Sequence, residues 1–154
     1  MEHKKIEHYF SRLEEVFMEM SRRLHVELAG QMVAGITGSQ FLVLKIISGR
    51  GRVTVSGVAD GLGVSLSAIT ALADRLVKAG LVVRSRDEND RRLVWLEVTE
   101  RGREVFNRCN EGRKKVGTKY FGRLGEADLR KLIEIYEKLL SFMRAENAGE
   151  KAGR

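Results

Sequence analysis

"SRDENDRRLVWLEVTERG", residues 85–102, decides how this chain is read. Val82 and Val83 lie just before it, and Leu93, Val94, Trp95 and Leu96 fill its second half. Between them Asp87, Glu88, Asp90, Arg91 and Arg92 crowd a short gap, with Asn89 among them. Two β-rich segments around a brief polar stretch predict a hairpin. A hairpin with two arginines near its tip needs a partner for them.

Upstream of the hairpin three short helices are expected. "TGSQFLVLKII" opens with Thr37 and Gln40, the pattern of a capping box, and Phe41, Leu44 and Ile46 or Ile47 supply its buried face. Gly49 and Gly51 end it. "TVSGVADGLGV" predicts a second helix capped at Thr54 or Ser56, with Val58, Ala59 and Leu62 inward and a turn at Gly63. "SLSAITALADRLVKAGL" predicts a third, capped by Ser65 and stopped by Gly80. Two short helices joined by the tight turn "GLGVS" and followed by a hairpin make a winged helix-turn-helix.

Longer helices flank this region. From residue 4 to about 30, Ile6, Phe10, Leu13, Phe17, Met20 and Leu24 recur at spacings of four and three, one apolar stripe close to a heptad. It packs either onto the chain's own core or against a partner helix. After Thr99, Val105, Cys109, Val116 and Tyr120 keep helical spacing. A break at "GRLGE" precedes a second stripe of Leu129, Leu132, Tyr136, Leu139 and Met143, with Ile133 and Leu140 beside it. The tail from 147 to 154 is small, polar and expected to be disordered. The fold class is therefore mainly α with a small β-hairpin wing. Residues 34–98 form the winged helix-turn-helix, and 1–33 with 99–146 form a helical region.

Composition agrees with a folded domain. Hydrophobic residues make up 43% of the 154 and charged residues 32%. Lys and Arg number 28 against 21 Asp and Glu, a net charge of +7 with a sequence pI of about 9.8. That excess suits a polyanion, although basic proteins without nucleic-acid partners are common. No apolar run approaches the roughly 20 residues that span a bilayer, and the first ten residues lack the apolar core of a signal peptide. The expected location is the cytoplasm, with no membrane partner. His3, His8 and His25 have no Cys or acidic cluster at ligand spacing, so neither a metal nor a cofactor is expected. Cys109, the lone cysteine, is read as packed. No Ser-His-Asp order or phosphate loop exists, and Gly49-Arg50-Gly51 lacks the rest of any glycine fingerprint, so the chain is not read as an enzyme.

The third short helix can be tested on a wheel of about 100° per residue. Ile69, Leu72, Ala73 and Leu76 point one way; Ser67, Thr70, Ala71, Asp74, Arg75 and Lys78 point the other. A helix entering the major groove needs small residues at the close approach and hydroxyls or cations at the phosphates. Ser67 and Ala71 permit that approach, and Thr70, Arg75 and Lys78 could hold phosphate. The competing reading is an ordinary solvated face. Asp74 favours it unless the charge is neutralised, and Lys78 one turn on could do so. In the hairpin, guanidinium groups suit the narrow, negative minor groove. Asp90 makes sense there if a bidentate pair holds an arginine in place. The competing reading is a charged edge that discourages aggregation. Trp95 alternates opposite to Val94, Leu96 and Val98 and is read as packing.

On these motifs the chain resembles MarR-family transcriptional regulators. The resemblance rests on "TGSQFLVLKII", "VSGVADGLGVSLSAITALADRLVKAGLVVR" and "RDENDRRLVWLEVTERG", and it covers about residues 4–145. The order, spacing and wing motif together make it specific. It implies a homodimer in which helices from both chain ends interleave with the second subunit. Each subunit would carry one winged helix onto double-stranded DNA at a pseudo-palindromic operator, as a repressor released by a small aromatic or phenolic effector. Arg92 would be the wing residue in the minor groove, Asp90 its positioning partner, and Arg91 a neighbour on phosphate. Ser67, Ala68, Thr70 and Ala71 would face the major groove. Ser65, Arg75, Lys78, Arg84 and Arg86 complete the expected DNA-binding set. Two departures from the family pattern matter: Ala71 stands where arginine is frequent, and Glu88 follows Asp87 where proline is frequent. Readout would then lean on the wing and on DNA shape. The alternative is a winged helix that serves as a protein-interaction or non-specific DNA-binding module.

Overall fold

The chain runs α1 (Glu2–Ala29), α2 (Gly38–Arg50), β1 (Arg52–Thr54), α3 (Val55–Leu62), α4 (Leu66–Lys78), β2 (Val82–Arg86), β3 (Val94–Val98), α5 (Glu100–Phe121) and α6 (Glu126–Ala152). This computed structural model describes the backbone of residues 2–33 and 35–152 and the side chains of 4–33 and 35–146. Two compact units are formed, residues 1–116 and 117–154.

The helix starts are where the capping residues put them. The Thr37 amide donates to Gln40 Oε1 at 2.8 Å and the Gln40 amide donates to Thr37 Oγ1 at 3.2 Å, closing the capping box of α2. Gly51, at φ 76°, ends α2, while Gly49 lies inside it. Thr54 caps α3 by accepting from the Gly57 amide at 3.0 Å, and Ser65 caps α4 by accepting from the Ala68 amide at 3.3 Å. Between α3 and α4 the chain bends by 117°. Gly63 makes the bend at φ 65°, a left-handed conformation that costs a side-chain-free residue little.

The sheet has order β1-β3-β2 and is antiparallel throughout. β2 and β3 are the expected hairpin; β1 was not expected. A three-residue strand carries too few alternations to register as a period-two pattern. It is held by its register on β3, with Arg52 opposite Glu97, Val53 opposite Leu96 and Thr54 opposite Trp95. Residues alternate across this sheet. Val53, Val82 and Leu96 point into the core, and Arg52, Trp95 and Glu97 lie on the other face.

One core joins the helices to the sheet. Val43, Leu44, Ile47, Val58, Ile69, Ala73, Leu76, Val82 and Leu96 are fully or almost fully buried in it. The expected inward residues Leu62 and Leu72 are partly buried against it, as is Ile46. Buried Phe41 stacks on Phe106 of α5, with ring centroids 5.5 Å apart.

α5 is pinned at its start. The Thr99 hydroxyl donates to the Gly80 carbonyl at 2.8 Å and accepts from the Gly102 amide at 3.0 Å, and the Thr99 amide donates to the Leu81 carbonyl at 3.0 Å. A β-carbon on Gly102 would sit 2.0 Å from the Leu81 carbonyl oxygen. The Thr99-x-x-Gly102 pair therefore lets α5 leave the sheet against the end of α4.

The flanking stripes are exposed in the single chain. On α1, Ile6, Phe10, Leu13 and Phe17 are all more than half exposed, between 52% and 63%. On α6, Ile133, Tyr136, Leu139, Leu140 and Met143 are exposed at 42–58%. Helix α6 runs through Ala152, beyond residue 146 where the helical region was expected to end. Residues 153 and 154 of the tail lie outside the described residues.

Candidate nucleic-acid interface

Helix α4 presents two sharply different faces. Ile69, Ala73 and Leu76 have no exposed surface, whereas Ser67, Ala68, Thr70, Ala71, Asp74, Arg75 and Lys78 are all exposed. Burial of one face fixes the rotation of the helix, and the other face is left to solvent. Its hydroxyls are partly committed within the helix. Ser65 is the cap and lies 3.2 Å from the Ser67 oxygen, and the Thr70 hydroxyl donates to the Leu66 carbonyl at 2.9 Å. Arg75 and Lys78 make no ion pair among the described residues.

Asp74 is neutralised by a partner that the sequence reading did not name. Arg84 of β2 reaches it with Nη2 2.6 Å from Oδ1. Arg84 stands opposite Leu96, on the face of β2 turned to α4, and its side chain reaches Asp74 while staying partly exposed. Lys78, expected to play this part, does not pair with Asp74.

The hairpin connection is built around two aspartates. Asp87 Oδ1 accepts from the amides of Asn89 at 2.9 Å and Asp90 at 3.0 Å, an Asx-type turn that carries the chain around the tip. Asp87 Oδ2 accepts from the Trp95 indole nitrogen at 2.9 Å. That indole bond, then the two amides, hold the Asp87 carboxyl below the ordinary carboxylate range. Asp90 accepts from Arg92 Nε at 3.1 Å and from Arg92 Nη2 at 3.3 Å, one carboxylate oxygen for each nitrogen. The Arg92 amide donates to the same Oδ1 at 3.0 Å. The Arg92 side chain, then its amide, lower the Asp90 pKa in turn. The expected bidentate pair is thus present, and it leaves the Arg92 side chain 91% exposed. Arg86 and Arg91 are exposed beside it without an ion pair among the described residues.

A groove lies between wing and recognition helix. Thr54 and Ser56 at the start of α3, Thr70 of α4, and Arg84 and Arg92 line its polar side, with Leu66 and Leu93 among its apolar walls.

This winged helix has solved and curated counterparts. The MarR family profile matches residues 36–94, from the approach to α2 into the second wing strand. An uncharacterized HTH-type transcriptional regulator of Bacillus subtilis (strain 168), YpoP, is 31% identical over 127 residues, covering 82% of this chain and 90% of YpoP. The chain belongs to the MarR family. The HTH-type transcriptional repressor MdtR of the same organism is 33% identical over 68% of each chain. Among solved structures, mutant MarR from E. coli complexed with operator DNA superposes with a TM-score of 0.71 at 26% identity, covering 88% of this chain and 96% of that one. Beyond the family, the matched relatives are named as transcriptional regulators and not as enzymes. Among the described residues no single helix is long and apolar enough to cross a membrane.

Within this MarR-family wing, the sequence reading missed Arg52, Asp87 and Trp95. Arg52 pairs with Glu97 at 3.1 Å and lies over the Trp95 ring, 4.6 Å from its centroid. The alternation of β3 does place Trp95 and Glu97 on one face, but their partner on β1 became visible only with the strand itself. Asp87 lies within a charged tip, and nothing in its spacing distinguishes a turn-former from a solvated carboxylate.

Proposed function

We propose that this chain is a cytoplasmic transcriptional repressor that binds a pseudo-palindromic operator in double-stranded DNA as a homodimer. The observation that carries the reading is the wing tip. A fully presented arginine is held by a carboxylate beside a helix whose outer face is free. Aspartate next to DNA is unfavourable unless it orients a cation, and here Asp90 engages Arg92 through both oxygens. In this proposal α4 lies in the major groove with Ser67, Ala68, Thr70 and Ala71 toward the bases. Arg75, Lys78, Arg86 and Arg91 then meet phosphate, and Arg92 enters the minor groove. Arg84 acts from behind, through Asp74. Ser65 contributes mainly as the helix cap.

The dimer follows from the stripes. Apolar rows of α1 and α6 left in water would be an aggregation surface, and a second copy of the chain offers matching rows. Residues 1–33 and 99–146 would form this assembly, and residues 34–98 would carry the DNA contacts. Two recognition helices related by a twofold axis then meet major grooves roughly 34–36 Å apart. The groove beside Thr70, Arg84 and Arg92 combines cations, hydroxyls and apolar walls, which suits a small aromatic acid or phenol. Its occupant would sit between the two DNA-reading elements and so oppose operator binding.

The test is a binding titration at several salt concentrations, on a duplex that the unsubstituted protein selects from a randomised library. Arg92→Ala is expected to weaken binding by roughly 1–3 kcal/mol, the scale of one specific contact. Asp90→Ala raises the net charge, so bulk electrostatics alone demands tighter binding. Loss of orientation demands weaker binding, because a freed arginine must give up side-chain entropy when it docks. Weaker binding is expected. Failure to select any sequence would leave a non-specific binder or a protein-interaction module, and tighter binding by Asp90→Ala would leave the hairpin as a charged edge.

A further inference from the structure

We infer that Trp95 is a positioning residue for Arg92, acting through Asp87, so that the wing tip is set from the outer face of the sheet. This rests on the reading of Arg92 as the DNA-contacting wing residue. The tip between β2 and β3 contains no proline, as the whole chain contains none, so no ring fixes its backbone. Backbone bonds close it, from the Asp87 amide to the Leu93 carbonyl at 3.0 Å and from the Leu93 amide to the Asp90 carbonyl at 2.9 Å. The turn inside them is held by the two amides that Asp87 Oδ1 receives, the second of which belongs to Asp90. Asp90 in turn sets both the backbone amide and the guanidinium of Arg92. The placement of Asp90, and with it that of Arg92, therefore draws on the rotamer of Asp87.

What holds that rotamer is the indole. Asp87 Oδ2 accepts from Trp95 Nε1 at 2.9 Å, and an aspartate with both oxygens engaged cannot swing away from its turn. Trp95 is itself fixed from the opposite side. It sits on the central strand, across from Thr54 on β1 and Ser85 on β2. Diagonally behind it, Arg52 lies over its ring and is anchored to Glu97 at 3.1 Å. The contacts run unbroken from β1 to the wing tip through Arg52, Trp95, Asp87, Asp90 and Arg92. Phenylalanine at 95 would keep the ring and its stacking on Arg52 but supply no donor to Asp87.

Binding to the library-selected duplex tests this, with Trp95→Phe, Arg92→Ala and the double variant compared. Trp95→Phe should weaken binding roughly two- to tenfold, the range that one net hydrogen bond spans. The double variant should bind like Arg92→Ala alone, since a positioning group is idle without the group it positions. A packing role for Trp95 would give independent losses and a lower melting temperature, and would overturn the inference. If Arg92→Ala leaves affinity unchanged, the reading of the wing fails and the inference falls with it. If only Trp95→Phe is silent, the inference alone fails. A second readout needs no DNA. The single tryptophan gives one indole N–H resonance, which should shift clearly in Asp87→Ala; an unmoved resonance would show that the bond to Asp87 is not formed in solution.

Discussion

Arg84 on the inward face of β2 lies 2.6 Å from Asp74 on the outward face of α4, and this ion pair ties the wing to the recognition helix. Both partners are partly exposed, with side chains 33% and 56% accessible, so the pair contributes little to folding, on the order of 0.5 kcal/mol. Its larger effect is electrostatic. It cancels a carboxylate on the face that the proposal sets against phosphate. Arg84→Gln should therefore leave thermal stability nearly unchanged while weakening DNA binding. Asp74→Asn should release Arg84 toward the backbone and steepen the slope of log K against log salt by about 0.9. Unchanged slopes in both variants would remove this pair from the interface.

The start of α5 leaves no room for a side chain at Gly102. Gly102→Ala places a methyl group 2.0 Å from the Leu81 carbonyl oxygen and 2.8 Å from Val98 Cγ1, a clash with backbone that no rotamer relieves. Destabilisation of at least roughly 1–3 kcal/mol is expected, the usual scale of overpacking. Thermal or denaturant unfolding measures it directly, and a stability equal to the unsubstituted chain would show that α5 can shift at no cost.

Leu13 and Leu139 are 61% and 42% exposed, so in an isolated chain neither buries enough surface to resist a charge. Leu13→Asp or Leu139→Asp should therefore leave the winged-helix core folded, because none of its buried cluster comes from α1 or α6. In a dimer each substitution puts a carboxylate into apolar surface, which is strongly unfavourable. Sedimentation should show monomers with collapsed operator affinity. A persistent dimer would place the interface elsewhere.

The wing should be acid-sensitive in a defined direction. Asp87 and Asp90 both have folded-state pKa values below the ordinary value, chiefly through the Trp95 indole and the Arg92 guanidinium. Groups of this kind stabilise the structure fully above the unfolded pKa, and that contribution is lost as pH falls through the lowered folded value. The wing should keep its arrangement as pH drops past the ordinary aspartate range, then loosen below it. Trp95 fluorescence followed against pH should report the change, and Asp87→Asn should abolish it. A transition at the ordinary aspartate pKa would mean that the Asp87 bonds are not formed.

Much of this architecture is legible in residue order alone. Thr37 with Gln40, Thr54, Ser65, Gly63 and Gly80 mark helix ends through local backbone chemistry, which operates within a few residues and so is written in short motifs. The faces of α4 follow from helical periodicity, and an arginine held by Asp90 is legible from their closeness in the turn, while the choice of Arg92 is implied by the family resemblance. The apolar stripes of α1 and α6 are equally plain. Other features arise only when distant segments meet. The strand β1 exists because Val53 finds a place opposite Leu96, forty-three residues away. The partner of Asp74 is Arg84 and not Lys78, because the alternation of β2 puts Arg84 on the strand face turned to α4. The bond from Trp95 to Asp87, and the arginine laid over that indole, depend on the register of three strands at once. Local propensity settles where elements begin, end and face; side-chain pairings across elements depend on the packed distances between them, and those only the folded core decides.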